Sequence, residues 1–215
     1  MQTIVLNKVL PSIFQEKETL NESDIWTKDV ALHRGKTYLI EAVSGAGKST
    51  LLSYLLGYRD DFSGVITFDD VSIKTFSKGE WARIRQREIS VLYQDLKLFL
   101  ELTAFENIQI KNSLTKYTTT QKIKELFEQL GIADKLNVKV GKLSFGQQQR
   151  VALIRALSQP FDFILLDEPI SHLDDDNSKI MADILAQRLK ESGAGAIVTS
   201  IGQTLPIDYD NILRL

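Results

Sequence analysis

Apolar positions along this chain recur in two rhythms, and the switches between them outline its architecture. Short alternating or continuous apolar runs predict strands at TIVLNKVL (3–10, ended by Pro11), DIWTKDVAL (24–32) and KTYLIEA (36–42), the last entered through a turn at Arg34-Gly35. GVITFDDVSI (64–73) alternates as a strand should, with Asp69-Asp70 as a turn candidate, and ISVLYQ (89–94) is a short strand. FDFILLD (161–167) and GAIVTS (195–200) are dense enough to be buried on both faces, and DNILRL (210–215) reads as a last edge strand. Helical spacing appears instead in KSTLLSYLLG (48–57), in the polar GEWARIRQRE (79–88) and in GQQQRVALIRALS (146–158). NSKIMADILAQRLKESG (177–193) turns Ile180, Met181, Ile184, Leu185 and Leu189 to one face. From about 95 to 142 the reading is mostly helical, carried by FENIQI (105–110) and TTQKIKELFEQLG (119–131). The second of these has Ile123, Leu126, Phe127 and Leu130 on one side and Gly131 as a stop. Strands alternating with helices imply an α/β fold with a mostly parallel, doubly wound sheet, and residues 1–215 form one domain with a helical lobe inserted at about 95–142.

Composition narrows the picture only in part. The chain has 215 residues, 43% hydrophobic and 25% charged, enough for one large domain or a core with a small lobe. A formal net charge of −2 and the lack of a basic tract argue against nucleic acid as a partner. There is no cysteine, which excludes disulfide and thiolate chemistry and fits a cytosolic protein. The amino end lacks the pattern of a signal peptide, and no window approaches the roughly 18 apolar residues of a bilayer-spanning helix. Work at a membrane would need another subunit to hold the chain there.

The chemistry begins at EAVSGAGKST (41–50), which lies between a predicted strand and a predicted helix. It matches the phosphate-binding pattern G-x-x-x-x-G-K-[ST], except that Ala42 stands where the first glycine belongs. Ser44, Gly45, Ala46 and Gly47 can curve the backbone so that N–H groups converge on an anion, and Thr50 continues into the helix whose positive end faces it. Lys48 supplies a point charge for the β- and γ-phosphates, and the Ser49 hydroxyl is placed for Mg²⁺. FILLDEP (163–169) then ends a buried strand in two adjacent carboxylates, which are costly to bury unless paired or bound to metal. Asp167 is the candidate to hold Mg²⁺ through water, and Glu168 the candidate to orient the attacking water or accept its proton.

The stretch LSFGQQQR (143–150), just before the acidic strand, resembles the signature LSGGQxQR of the ABC ATPases, and the other motifs of that family follow in order. Residues 42–50 resemble its Walker A loop, 163–168 its Walker B strand with the catalytic glutamate, and Gln94 its Q-loop glutamine, also a metal-side residue. SHLD (171–174), with Ser171 and Asp174, resembles its D-loop. The resemblance implies a RecA-like P-loop core with an N-terminal antiparallel β subdomain and an inserted α-helical subdomain. It implies ATP and Mg²⁺ as cofactors and a head-to-tail dimer, with Leu143, Ser144, Phe145, Gly146 and Gln147 facing the nucleotide of the other copy. It implies transmembrane permease subunits docked at the groove around the Q-loop, which puts the chain on the inner face of the cell membrane. An aromatic residue upstream of Walker A stacks on adenine in the family; Phe14 is the candidate and Trp26 the runner-up, with packing favoured for Trp26 because it sits within a strand-like run. Size and signature resemble the compact ATPases of lipoprotein-release, macrolide-export and cell-division systems.

Two departures bear on turnover. Position 145, glycine in the family, is phenylalanine, whose ring either crowds the triphosphate or turns away into the helical lobe. In AIVTSIG the residue aligned with the family's γ-phosphate-contacting histidine is Ser200, a shorter group without accessible positive charge. The two histidines lie elsewhere, His33 in the turn before the Walker A strand and His172 in the D-loop. The leading reading is an ATPase subunit of a transporter. The alternatives are a soluble ABC ATPase and an ATP-gated scaffold with weak hydrolysis.

Overall fold

The computed structural model describes residues 1–14 and 23–215. Two sheets organise them. Strands β1 (Thr3–Pro11), β2 (Asp29–His33), β4 (Phe62–Phe68) and β5 (Val71–Ser72) form an antiparallel sheet in the order β2-β1-β4-β5. The hairpin from β4 to β5 turns at Asp69 and Asp70, the expected turn pair, both at positive φ (46° and 67°). Strands β3 (Thr37–Glu41), β6 (Ile89–Leu92), β7 (Phe163–Asp167), β8 (Gly195–Ser200) and β9 (Asn211–Arg214) form a parallel sheet, ordered β6-β7-β8-β3-β9. The strand leading into the phosphate loop, β3, and the strand ending in the two carboxylates, β7, thus flank β8. This is the RecA-like arrangement, and it brings the carboxyl ends of all three together.

The continuous apolar run of β7 is explained by its two faces. Phe163 and Leu165 enter one core with Ile4, Trp26, Leu51 and Tyr54, beneath the antiparallel sheet and α1 (Lys48–Leu55). Ile164 and Leu166 enter the other, with Ile108, Phe127, Val151 and Leu185. That second core is built by α3 (Ala104–Thr115), α4 (Thr120–Gln129), α5 (Phe145–Leu157) and α6 (Asp175–Ser192), while α2 (Lys78–Arg87) packs near β6.

Reciprocal capping boxes start three of these helices. Ser77 with Glu80, Thr103 with Glu106 and Ser144 with Gln147 each form a reciprocal pair that satisfies free N–H groups of the first turn.

One expectation needs correction. The segment 24–32 is a strand only from Asp29. Residues before it form a turn that buries Ile25 and Trp26 completely enough to mimic a strand's apolar face. The helical lobe expected within 95–142 is present, built on α3 and α4. The remainder runs as turns and single-turn 3-10 segments, tied together where Ala104 N–H donates to Val138 O and Val140 N–H to Leu102 O. Among the described residues, no helix is long and apolar enough to cross a membrane.

Candidate nucleotide-binding and catalytic site

The phosphate loop leaves β3 at Glu41. Ala42 N–H donates to Ser200 O at 3.2 Å, stitching the loop's entry to the end of β8. The loop's positive-φ positions are Gly45 (80°) and Gly47 (104°), and Ala42 is not one of them. Alanine therefore meets no steric penalty at the position where the pattern has glycine. Gly47 is required on two counts, because a Cβ there would also lie 2.7 Å from Phe14 Cε2 and 3.1 Å from Trp26 Cζ2.

Those two rings support the loop from below. Phe14 ends a short 3-10 turn after β1 and is 4% exposed; its centroid lies 6.2 Å from that of Trp26. Trp26 is fully buried, and its Nε1–H donates to Ala46 O at 3.1 Å. Sequence reasoning favoured packing for Trp26, the runner-up for adenine, and missed this bond, because a turn residue's hydrogen-bonding partner twenty positions away leaves no periodic trace. The exposed remnant of Phe14 borders a cleft of about 1010 Å³ that runs along Ala42–Ala46 to Ser200, Gly202 and Arg214.

On the other side of the loop, Ser49, Gln94 and Asp167 line one cleft of about 630 Å³, so the three expected metal-side residues converge. Lys48 is 8% exposed, and its Nζ lies 3.6 Å from Glu168 Oε1. The other carboxylate oxygen of Glu168 accepts from Gln94 Nε2 at 3.1 Å. Glu168 has a φ of 48°, a conformation costing about 1–3 kcal/mol for a residue with a side chain. Its N–H donates to Thr199 O at 3.1 Å.

Asp167 is buried at the last position of β7, opposite Thr199 of β8, whose Oγ1 donates to Asp167 Oδ1 at 2.6 Å. Burial pushes this carboxyl above its usual range and repulsion from Glu168 adds to the rise, while the Thr199 hydrogen bond and Lys48 oppose it. Thr199 was not among the expected site residues; its role depends on strand register, which sequence alone does not show.

Ser200 is 2% exposed, and its hydroxyl donates to Gln203 O, closing its own loop. It lines a small pocket of about 160 Å³ with Glu168, Ser171 and Gln203. His33 ends β2 rather than lying in the turn after it, and it is exposed.

The signature residues pack on the loop 169–174. Ser144 caps α5, Leu143 is buried, and Gln149 Nε2 donates to Pro169 O at 2.7 Å. A Cβ on Gly146 would come within 3.1 Å of Leu173 Cδ2 and 3.5 Å of His172 O. The Phe145 ring is 42% exposed and meets His172 edge to face, centroids 4.5 Å apart. It rests on His172 of the loop 169–174 rather than in the helical lobe. Asp174 caps α6 by accepting from Asn177 N–H at 2.8 Å. That bond and those from the Asn177 amide hold its carboxyl below the usual range.

Comparison with known proteins fits this geometry. A family model described as ABC transporter matches residues 27–171. The lipoprotein-releasing system ATP-binding protein LolD of Buchnera aphidicola is 34% identical over 188 residues, 86% of this chain and 80% of that one. The uncharacterized ABC transporter ATP-binding protein YbbA of Escherichia coli is 32% identical over 190 residues, 87% and 83% of the two chains. The dimeric structure of MJ0796, a bacterial ABC transporter cassette, superposes with a TM-score of 0.76 at 25% identity, covering 91% of this chain and 87% of that one.

Proposed function

This chain belongs to the ABC transporter family, as an ATP-binding and ATP-hydrolysing subunit that acts in a dimer with membrane partners, and from that premise we propose how its residues divide the work. Ser44 to Thr50 cradle the triphosphate, with the N–H groups of the glycine curve and Lys48 as its donors. The site suits a magnesium nucleotide: Gly47 leaves no room for a Cβ, and a buried carboxyl, an amide and a hydroxyl share one cleft. Ser49, Gln94 and Asp167 would hold Mg²⁺, which supplies charge neutralisation at the phosphates. Glu168 accepts the proton of the attacking water, Gln94 orients it, and Phe14 borders the adenine end. Ser144, Phe145, Gly146 and Gln147 face the nucleotide of the other copy, and Ser171 and Asp174 lie beside them. The membrane partners are permease subunits seated at the groove near Gln94, which places the chain at the cytoplasmic face of the membrane.

The observation that carries this reading is the Lys48–Glu168–Gln94 cluster beside the phosphate loop. Lys48 pairs with Glu168 in this structure, and a triphosphate in the loop would compete for the same ammonium, leaving Glu168 to the attacking water. The test is E168Q beside K48A. The amide of E168Q keeps shape but not basicity, so ATP should bind, phosphate release should stall and light scattering should show a persistent dimer. K48A should lose ATP affinity; if it retains wild-type affinity, the loop is not the phosphate site.

Slow hydrolysis is the second reading, favoured by the Ser200 hydroxyl being engaged with Gln203 and by the ring at position 145. In that case the subunit gates its membrane complex chiefly by binding ATP.

A further inference from the structure

A cleft of about 330 Å³ lies away from the phosphate loop, where the helical lobe meets the core. Its lobe side is α4 and the turn before it; its core side is α6 and the end of α5. Leu126, Leu157 and Ile184 give it an apolar floor. Two cations line it as well, Arg188 on α6 and Lys122 on α4, the latter 3.4 Å from Glu125.

Arg188 is poorly satisfied for so enclosed a group. Its side chain is 23% exposed, and its Nε is buried without a hydrogen-bond acceptor. The guanidinium lies 4.8 Å from the Tyr117 ring centroid and 5.9 Å from that of Phe161. Its nearest carboxylate, Glu191, stands off at 3.8 Å and is itself held by Gln187 Nε2 at 2.8 Å. Burial lowers the guanidinium's pKa from its ordinary value, a sign that its water has been removed without full replacement. An enclosed donor without an acceptor is unfavourable, and a planar guanidinium answers best to a carboxylate. Pockets of this size, mostly apolar with a few converging polar groups, are the usual form of small-ligand sites.

We propose that this cleft binds a small aliphatic carboxylate, its head between Arg188 and Lys122 and its tail on Leu126, Leu157 and Ile184. Such a ligand bridges α4 to α6 and so ties the helical lobe to the core, a position from which it can regulate the subunit without touching the nucleotide.

The test is methyl NMR of the intact chain, following Ile184 and Leu126 during titration with octanoate, with 1-octanol and acetate as controls. Octanoate should give saturable shifts, whereas octanol lacks the head and acetate the tail, so neither should. R188Q should weaken octanoate by roughly tenfold or more, the effect of losing one charged hydrogen bond. K122Q should weaken it several-fold and serves as the second variant if R188Q fails to fold. No saturable shift with octanoate, an equal response to octanol, or unchanged affinity in a folded variant would each overturn the proposal. ATP affinity, measured in parallel, should be unchanged by either substitution, which separates this site from the nucleotide site.

Discussion

At the scale of single residues, the glycines of the phosphate loop are not equivalent, and the structure says which one matters most. Gly47→Ala must accept a φ of 104° and push against Phe14 and Trp26, so ATP affinity should fall at least tenfold and the domain should lose stability. Ala42→Gly should leave affinity within about twofold and cost a few tenths of a kcal/mol through chain entropy, because nothing at position 42 calls for glycine. Isothermal titration with Mg-ATP checks both; a large gain in A42G would show that alanine impairs the loop after all. Ser200 raises a different question. A histidine there has to displace the Ser200–Gln203 bond from a buried place before it can reach phosphate. A removed transition-state donor typically costs about 10²–10³ in rate. S200H should recover only part of that, a several-fold rise in steady-state phosphate release. Robust wild-type turnover that S200H leaves unchanged would retire the slow-hydrolysis reading.

At the scale of elements, α3 carries an avoidable cost. The Lys111 ammonium is pulled down to about 8 from an ordinary 10.5, first by burial and then by the charges of Arg155 and Arg85, while its Nζ donates to Gln159 Oε1 at 2.8 Å. Between those two values the unfolded chain holds more protons than the folded one, so stability rises with pH across that window. Below it, the full penalty is present, on the order of 3 kcal/mol, offset by roughly 1 kcal/mol from the hydrogen bond. Lys111→Met should therefore raise Tm by a few degrees at pH 7 and flatten the rise between pH 8 and 10. An unchanged Tm in thermal melts would mean that Lys111 reaches water. The elements themselves were legible where one face is apolar over many residues: α5 and α6 begin and end within two positions of the periodic reading. The segment 24–32 was not, because Ile25 and Trp26 are buried as a plug under the phosphate loop and not as a strand face, and alternation cannot distinguish the two. The site divides the same way. The glycine loop and the Asp167–Glu168 pair are contiguous and could be read directly. The Thr199–Asp167 and Phe145–His172 contacts depend on register and packing between distant segments.

At the scale of the whole molecule, the order of strands in the parallel sheet sets a timetable. The antiparallel sheet draws its strands from the first third of the chain, and β1, β2 and β4 can pair soon after they are made. The strand that feeds the phosphate loop cannot. Thr37 pairs with Ala196 and Leu39 with Ile212, so both neighbours of β3 come from the far end of the sequence. Ala42 likewise waits for Ser200 before the loop's entry is held. During synthesis the glycine loop is among the earlier segments to leave the ribosome, yet its strand is among the last to find partners. ATP binding is then expected only once β8 and β9 have joined the sheet. Ribosome-bound chains stopped before β8 should show no ATP crosslinking at Lys48, and crosslinking should appear once β9 has cleared the exit tunnel. Crosslinking in the shorter chains would mean that β3 and α1 hold the loop without the sheet.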